Sequence, residues 1–411
     1  MTVAFFRAYQ KSHPWITFSV DLSRAPHTLW LLMGEARSKC EHVAGVPLQP
    51  QNAQRLNEMY FVKGVHATAA IEGNSLSEEQ IQHYLSEGEL KVPPSKEYQA
   101  KEIENLVSAF NGIVKSIGKD GAPQVRPELI KDFNRQILAG LSTEDTTPGE
   151  VRHHSVGVAD YRGAPAEDCE FLLSRLCDWL NDIKLDEDDD IGLGGAMLKA
   201  VLAHLYLAWI HPFGDGNGRT ARLLEFYILV SAGVPVPSAH LLSDHYNQTR
   251  SEYYRHLAYA SKSGGDIQPF ILYALKGFVE ELREQVNFIR GQLWGIAWRD
   301  FINELLDDGG PSETTARRKA LVLDLTWAGA PVIRSKLLEL TPRVATLYAR
   351  KTDKTLSRDL NALCEMGVVE RTQKGLYRAR MERILAFLPE RYKKQARVEG
   401  EKIRKPEPSK S

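Results

Sequence analysis

A twelve-residue stretch, HPFGDGNGRTAR at 211–222, concentrates the side chains of this sequence that are best suited to chemistry. It follows an apolar segment and contains a histidine, an acid and two arginines around three glycines. Glycines leave backbone N–H groups uncovered and tolerate positive φ. A plain connection between two helices needs at most one glycine as a cap, and it gains nothing from arginines beside uncovered amides. The composition therefore predicts an anion-binding loop with a proton acceptor at its edge.

The residues that follow the glycines favour a phosphorylated ligand. The run TARLLEFYILV has helical character, so the loop precedes a helix N-terminus, where backbone donors and the dipole attract anions. Arg219 and Arg222 are neighbours on one helical face and suit a polyphosphate. Asp215 offers one oxygen ligand to Mg²⁺, and His211 is the group here that takes a proton near neutral pH. Together they predict nucleotidyl or phosphoryl transfer to a hydroxyl.

Composition limits the broad class of the protein. The 411 residues leave room for two or three domains, and 43% hydrophobic with 26% charged residues is ordinary for a soluble globular protein. A net charge of −1 implies no bulk attraction to nucleic acid or membrane. The four cysteines form no CxxC pair, which argues against zinc and a disulfide framework. With no signal-peptide pattern, and an apolar stretch at 196–210 too short for a bilayer, we expect a cytoplasmic protein without a membrane segment.

Local signals predict a mainly α fold. Helical periodicity dominates, and strand signals are sparse before the C-terminal part. The run SEEQ at 77–80 predicts a capping box, and Pro127 suits the first turn of a helix. The turn-rich segment 149–165 predicts a hairpin or flap. The acidic run KLDEDDD, ending at Asp190, lacks the glycine and final glutamate of an EF-hand loop and predicts a solvated loop.

The C-terminal part has a different pattern. Helix, turn, helix and two short strands around Thr372–Gly375 predict a winged-helix module over 300–390. The stretch 341–380 holds nine Lys/Arg against four Asp/Glu, a modest basic excess. Base contacts of a groove-entering helix would come from Lys354, Thr355, Ser357 and Arg358, and a phosphate contact from Lys374. Such modules also dock proteins or dimerise, so DNA binding is one of three options. The tail 391–411 is predicted to be disordered and basic.

The stretch at 211–222 matches the signature HxFx(D/E)GNGRxxR of the Fic family at every specified position, and the chain resembles that family over about residues 60–275. The resemblance implies a helical bundle with a β-hairpin flap beside the active site. It also implies transfer of AMP from ATP to a Ser, Thr or Tyr hydroxyl of a target protein. On this reading, 1–120 is an N-terminal helical region and 121–280 is the catalytic core.

The resemblance assigns a role to each signature residue. His211 would be the base that deprotonates the target hydroxyl, and Asp215 would hold Mg²⁺ on the α- and β-phosphates. Arg219 would stabilise the leaving pyrophosphate, and Arg222 would bind the γ-phosphate. Phe213 would be a buried anchor. The α- and β-phosphates would be cradled by the residues at the helix start, namely Gly216, Asn217 and Gly218.

A second string, TAAIEGN at 68–74, resembles the inhibitory motif (S/T)xxxE(G/N) of Fic proteins. Thr68 and Glu72 are four residues apart, so they share a helical face. Read without the resemblance, Glu72 before Gly73 is simply a helix end. With it, the motif implies an N-terminal inhibitory helix at about 55–73, in which Glu72 pairs with Arg222 and holds ATP in a nonproductive pose.

The flap and the base pocket rest on looser matches. The family's hairpin often begins GxxR, which Gly149 and Arg152 fit, although a simple surface loop remains an alternative. The nucleotide and an extended target segment would then lie against Val156, Gly157, Val158 and Ala159. SEYYRHLAYAS resembles the helix that lines the adenine pocket, where Tyr254 is either a pocket or a core residue. Ser261 replaces an asparagine of many relatives, which leaves the nucleotide preference open.

Three functions compete at this stage. The first is a protein adenylyltransferase held in check by Glu72, with Mg²⁺ as cofactor and ATP as substrate. The second is a hydrolase that removes AMP at the same site, with Glu72 positioning a water. The third is a nucleotide-sensing DNA-binding regulator, which His211 argues against because sensing needs no base. The target protein is unknown, and self-modification and a homodimer stay open.

Overall fold

The computed structural model describes residues 6–120, 124–141, 146–158, 161–183, 192–307 and 312–384. The chain divides into two compact units between Val286 and Asn287. This division lies between the predicted end of the core at 280 and the predicted start of the C-terminal module at 300. The acidic run 184–190 and the predicted disordered tail 391–411 lie outside the described residues.

The first unit is mainly α-helical, as predicted. Its helices are α1 Tyr9–Ser12, α2 His27–Gly45, α3 Pro50–Ala70, α4 Glu78–Glu87, α5 Glu97–Asp120, α6 Pro127–Ile137, α7 Ala166–Asp182, α8 Gly192–Ile210, α9 Asn217–Ser231, α10 Val236–Ala239, α11 Leu241–Gln248, α12 Arg250–Lys262 and α13 Gln268–Asp307, which continues past residue 287. The predicted capping box is confirmed, since Ser77 and Gln80 bond each other's backbone at the start of α4. Pro127 occupies the first turn of α6, as expected.

Helix α8 forms the centre of this unit. It packs against α2, α7 and α9, and nearly all of its side chains are buried. Among the described residues it is the one helix apolar and long enough to cross a membrane by composition, yet 83% of that window is buried inside the protein. Burial on all sides accounts for its uniform apolar sequence, because a helix that is hydrophobic all round has no face for water.

The predicted hairpin is present between α6 and α7. Strands β1 (Gly157–Val158) and β2 (Tyr161–Arg162) pair antiparallel, with Gly157 opposite Arg162. The Gly163 N–H donates to the Val156 carbonyl at 3.1 Å and extends the pairing by one step. The Tyr161 hydroxyl donates to the Trp209 carbonyl at 2.7 Å, which fastens the hairpin to the end of α8.

The helix for which the resemblance implied an inhibitory role differs from its predicted bounds of about 55–73. Helix α3 begins at Pro50 and ends at Ala70, so Glu72 lies in a turn after the helix. Gly73 has a φ of +100°, a conformation that glycine adopts at little cost, and the Asn74 N–H bonds back to Ala69. The sequence argument that Thr68 and Glu72 share a helical face was therefore wrong, because the chain leaves the helix between them.

The second unit contains, after the end of α13, helices α14 Glu313–Thr326, α15 Pro342–Tyr348 and α16 Asp353–Glu365, followed by strands β3 Val369–Arg371 and β4 Tyr377–Ala379. The two strands pair antiparallel, and Val332 forms an isolated bridge to Tyr377. The core holds Leu321, Leu337 and Leu360. The order of elements agrees with the predicted helix, turn, helix and hairpin.

Buried histidines in the first unit make its stability sensitive to acid. His240 packs against Gly64 of α3, both of its ring nitrogens lack a partner among the described residues, and burial lowers its pKa to about 3. In the unfolded chain a histidine titrates near its usual pKa, so the folded state loses stability as pH falls below that value. We expect the free energy of unfolding to drop by ~3 kcal/mol from this residue between pH 7 and pH 4.

Chemical denaturation at a series of pH values measures this loss. A His240→Leu variant should show a shallower fall than the unmodified protein over the same range, because leucine carries no proton. Identical pH dependence in the two proteins would show that His240 does not contribute.

Candidate functional site

The loop between α8 and α9 is a rigid structure. His211 has a φ of +52°, in the left-handed region that non-glycine residues seldom adopt, while its N–H still bonds Leu207 at 2.9 Å. Phe213 is fully buried, as predicted for an anchor. The Asn217 side chain accepts from the Phe213 N–H at 2.9 Å and donates to the Phe213 carbonyl at 2.8 Å. These two bonds close the loop over its anchor.

The closure uses the carbonyl oxygen of the Asn217 side chain and one of the two donors of its NH2 group. Gly216 is also engaged, because its N–H donates to Asp215 Oδ1 at 2.5 Å. The backbone amides of Asn217, Gly218 and Arg219 have no acceptor among the described residues. They lie in the first turn of α9, where the helix dipole favours an anion.

Asn134 of α6 holds the loop through hydrogen bonds, and the sequence analysis did not identify it as a site residue. Its Nδ2 donates to the Asp215 carbonyl at 2.9 Å, and its Oδ1 accepts from the Gly149 N–H at 2.9 Å. A Cβ on Gly216 would lie 3.0 Å from this Nδ2, which explains the glycine there. The available signal was a polar residue on the apolar face that Phe133 and Ile137 form on α6.

A carboxylate already lies at the N-terminus of α9. The Oε1 atom of Glu72 is so close to Gly218 that a Cβ on this glycine would lie 2.2 Å from it. The Glu72 side chain keeps 32% of its surface accessible to solvent. Helix N-termini bind phosphate and carboxylate alike, so Glu72 occupies the position in which an anionic ligand would bind.

Arg222 holds this carboxylate. Its Nη2 donates to Glu72 Oε1 at 2.6 Å and to the Thr68 carbonyl at 3.0 Å. Although desolvation raises the pKa of Glu72, the charge of Arg222 outweighs it, and the pKa is lowered overall. Arg222 itself is buried, and its Nε and Nη1 have no partner among the described residues. A buried guanidinium with two nitrogens that lack a hydrogen-bond partner suits an anion with several oxygens, such as a triphosphate.

Arg219 is held by two carboxylates. Its Nη1 pairs with Glu102 of α5, and its Nη2 pairs with Asp215 Oδ1 at 3.0 Å. Glu102 in turn accepts from Asn74 Nδ2 at 2.7 Å, just after the turn that carries Glu72. Sequence reasoning missed Glu102, because a pairing over 117 residues leaves no local signal. These contacts join the turn that carries Glu72, α5 and α9.

The side chains of the site fit a magnesium ion that is coordinated mainly by the phosphates of a bound nucleotide and by water. Within the described ranges, no group of three or more His, Cys, Asp or Glu side chains could bind a metal alone. Asp215 contributes one carboxylate with 43% of its side chain accessible. Mg²⁺ commonly takes one or two carboxylates, with phosphates and waters completing the shell, so this single acid fits the ion with a bound nucleotide.

His211 is set up as a neutral base. Burial lowers the pKa of its imidazole to about 4, although the carboxylates of Glu72 and Asp215 act in the opposite direction. Its Nδ1 lies 3.4 Å from the Ala208 carbonyl, which assigns the proton to Nδ1 and leaves Nε2 as the acceptor. The residue as a whole is partly buried.

The predicted flap residues are only partly covered by the structure. Val156 is half-buried and Gly157 is exposed. The side chain of Val158 and all of Ala159 lie outside the described residues. The base of the flap lies against the histidine, since a Cβ on Gly163 would be 2.8 Å from His211 Cβ.

The tyrosine pair separates into one core residue and one cleft residue. Tyr253 is buried, and its hydroxyl bonds His204 Nε2 at 2.8 Å. Tyr254 is 37% exposed, and its hydroxyl lies 3.3 Å from the Ile71 carbonyl, next to Glu72. The hydroxyl of Ser261 bonds the Ala258 carbonyl of its own helix, so it does not replace the asparagine of relatives in a pocket contact.

Comparison with known proteins finds similar sequences over about half of the chain. Residues 124–229 match the Fic/DOC family. "Protein adenylyltransferase fic-1" of Caenorhabditis briggsae is 31% identical over 231 residues, which are 56% of this chain and 42% of that protein. "Protein adenylyltransferase Fic" of Nematostella vectensis is 30% identical over 221 residues, 54% of this chain and 47% of that protein. The chain therefore spans less than half the length of these curated relatives.

Solved structures show the same fold. Fic-1 of Caenorhabditis elegans (residues 134–508) superposes with a TM-score of 0.52 at 27% identity, over 63% of this chain and 72% of that one. A Fic family protein of Desulfovibrio desulfuricans gives 0.53 at 20% identity over 86% and 96% of the two chains, which is a likeness of fold alone. Together with the signature loop between α8 and α9, these matches show that residues 124–229 are similar to the Fic/DOC family.

Proposed function

We propose that this chain is a protein adenylyltransferase that transfers AMP from ATP to a Ser, Thr or Tyr hydroxyl of a target protein. One arrangement carries the proposal: Glu72, which binds Arg222 beside its unpartnered donors, is close enough to His211 to act on the pKa of the imidazole. Anion site and base are the two parts that nucleotidyl transfer to an alcohol requires. The printed names of the curated relatives support the same activity.

The proposed reaction uses each part once. Nε2 of His211 accepts the proton of the target hydroxyl while that oxygen attacks the α-phosphorus of ATP. The new O–P bond replaces the bond from the α-phosphorus to its bridging oxygen, and pyrophosphate leaves. The amides of Gly218 and Arg219 donate to the phosphate oxygens as their charge grows. Mg²⁺ held through Asp215 would neutralise part of the phosphate charge.

Inhibition by Glu72 belongs to the proposal. Its carboxylate takes the Arg222 donor and the helix N-terminus that the γ-phosphate would need, and the carbonyl of Thr68 takes the same donor. ATP that binds beside Glu72 is displaced from the productive position. The left-handed turn at Gly73 presents the carboxylate from the end of α3, so movement of that turn would release the site.

The nucleotide base and the target have proposed places as well. Tyr254 lines the cleft beside the inhibitory turn and would contact the base or ribose, since its ring is partly exposed there. The flap would dock an extended target segment along Val156 and Gly157 by strand addition. Self-modification and homodimerisation remain predictions.

A hydrolase that removes AMP is the second candidate for this site. The observation that favours it is the accessible third of the Glu72 side chain, which faces the cleft and can hold a water. In that reaction the water would attack an AMP-modified side chain. The two candidates differ in one respect: Glu72 inhibits transfer but would be required for hydrolysis.

Intact-protein mass spectrometry tests the proposal. The Glu72→Gly protein is incubated with Mg²⁺ and with ATP, GTP, CTP or UTP in separate reactions, alone and with a cell extract. A nucleotide monophosphate increment on the protein itself or on an extract protein, strongest with ATP, is expected. Absence of any increment, combined with loss of AMP from pre-modified protein by the unmodified enzyme, would establish the hydrolase instead.

For the second unit we propose a winged helix. The support is the order of α14, a bridge at Val332, α15, α16 and the β3–β4 hairpin. Lys354, Arg358 and Lys374 are exposed, as DNA binding would need, whereas the Ser357 hydroxyl accepts from Arg334 at 2.8 Å. Protein docking and dimerisation therefore stay alongside DNA binding. We also propose a cytoplasmic location, which the four free cysteines support.

A further inference from the structure

Arg152, which precedes the flap, is buried and uses every donor group it has. Its Nε donates to the His211 carbonyl at 2.7 Å and its Nη1 to the His154 carbonyl at 2.6 Å. Its Nη2 donates to the Ala164 carbonyl, and its backbone N–H to the Pro212 carbonyl at 2.9 Å. His154 lies before β1 and Ala164 after β2. One guanidinium therefore joins both ends of the hairpin to the residue that carries the base.

Burial of the Arg152 charge costs free energy, which indicates that its contacts have a function. Arg152 is 4% exposed, and no carboxylate lies within ion-pair distance of it in the described part of the chain. Burial accordingly lowers its pKa. With no direct ion pair, the buried cation is stabilised mainly by the carbonyls that accept from it. A lysine has no planar fork that reaches three carbonyls in fixed directions, which is the property that arginine adds here.

The histidine needs such support. His211 is held at a φ of +52°, and strained backbone persists only where its surroundings fix it. Its carbonyl accepts from Arg152, while its Cβ is in contact range of Gly163, the residue after β2. A displacement of the hairpin would therefore also displace the imidazole, and a displacement of the histidine would move the hairpin.

We propose that Arg152 is a positioning residue that locks the flap and the base of the transfer reaction into one rigid body, so that a docked target hydroxyl meets Nε2 of His211. This inference rests on the proposed adenylyltransferase function. The phosphate site is built from α9 and lies outside the Arg152 contacts, so nucleotide affinity should not depend on Arg152. Catalysis should, because small displacements of reacting groups are costly.

Self-modification in the Glu72→Gly background tests the inference. We expect Glu72→Gly/Arg152→Met to lose roughly 100-fold in single-turnover rate at saturating ATP, while the ATP Kd by calorimetry stays within about twofold. Arg152→Lys should recover little of the rate. Arg175, an exposed arginine of α7, provides the matched control, Glu72→Gly/Arg175→Met, which should behave like the parent. A rate like the control, or loss of rate and affinity together, overturns the proposal.

Hydrogen exchange provides a readout that does not need activity. The Gly163 amide, which bonds Val156 across the hairpin, should exchange faster in Arg152→Met while the amides of α9 keep their protection. If Gly163 exchanges faster in Arg152→Met but the Glu72→Gly protein incorporates no label, the adenylyltransferase proposal is overturned. The proposed role of Arg152 in holding the flap is then retained. Unchanged exchange at Gly163 would overturn the lock whatever the activity.

Discussion

Replacing Glu72 by glycine should raise the rate of AMP incorporation by roughly 5- to 150-fold, the span of a coupling free energy of about 1–3 kcal/mol. The physical reason is competition for one position. Glu72 Oε1 binds Arg222 Nη2 at 2.6 Å and lies against Gly218 at the helix N-terminus. Because the carboxylate is part of the same chain, it competes at a high effective concentration. Glycine removes it and leaves the left-handed turn intact, since the next residue is already a glycine.

The measurement is the time course of radiolabel from ATP carrying ³²P at the α-phosphate. Glu89→Gly is the matched control. It is the same substitution at an exposed position in the loop after α4, away from Arg222. It should leave the rate unchanged. If Glu72→Gly labels no faster than the Glu89→Gly protein, the carboxylate does not restrain the reaction.

Replacing His211 by alanine in the Glu72→Gly protein should reduce incorporation by roughly 100- to 10,000-fold, the usual contribution of a general base. The imidazole is neutral at pH 7 because its pKa is lowered to about 4, so it is ready to take a proton without first losing one. The rate should therefore stay flat from neutral pH down to about pH 5 in the active protein. Below that it should fall as the imidazole becomes protonated.

ATP affinity separates loss of chemistry from loss of structure in this variant. The phosphate donors belong to α9, so the ATP Kd of Glu72→Gly/His211→Ala should match that of Glu72→Gly. His83→Ala serves as the control, since His83 is an exposed histidine of α4. Retained incorporation after loss of His211 would exclude it as the base.

The loop was predictable because its information is local. Glycines, acid, arginines and histidine stand within twelve residues, and the helix that follows is visible in the same stretch. The pairing of Glu72 with Arg222 was predicted from the family resemblance, and the structure has that contact. Spacing along a presumed helix was a poor guide to its geometry, because α3 ends at Ala70 and a turn presents the carboxylate.

The supporting residues were not predictable by the same means. Asn134, Glu102 and Arg152 contact the loop across 81, 117 and 59 residues of sequence. These residues satisfy the hydrogen bonds of buried polar groups, and which groups are buried is known only once the helices are packed. The hydrogen bonds of the Asn217 side chain were not predictable for a related reason. Its donor and acceptor serve the loop that the motif forms, and the motif alone does not show which way the amide points.

The central claim is that a triphosphate binds at the N-terminus of α9 in the position that Glu72 now occupies. A crystal structure of the Glu72→Gly protein with ATP and Mg²⁺ tests it most directly. We predict a phosphate accepting from the Gly218 amide and from the Arg222 donors that now lack partners, with the α-phosphorus facing Nε2 of His211. Nucleotide bound elsewhere, or an empty cleft at saturating ATP with Arg222 still closed against other protein groups, would contradict the account.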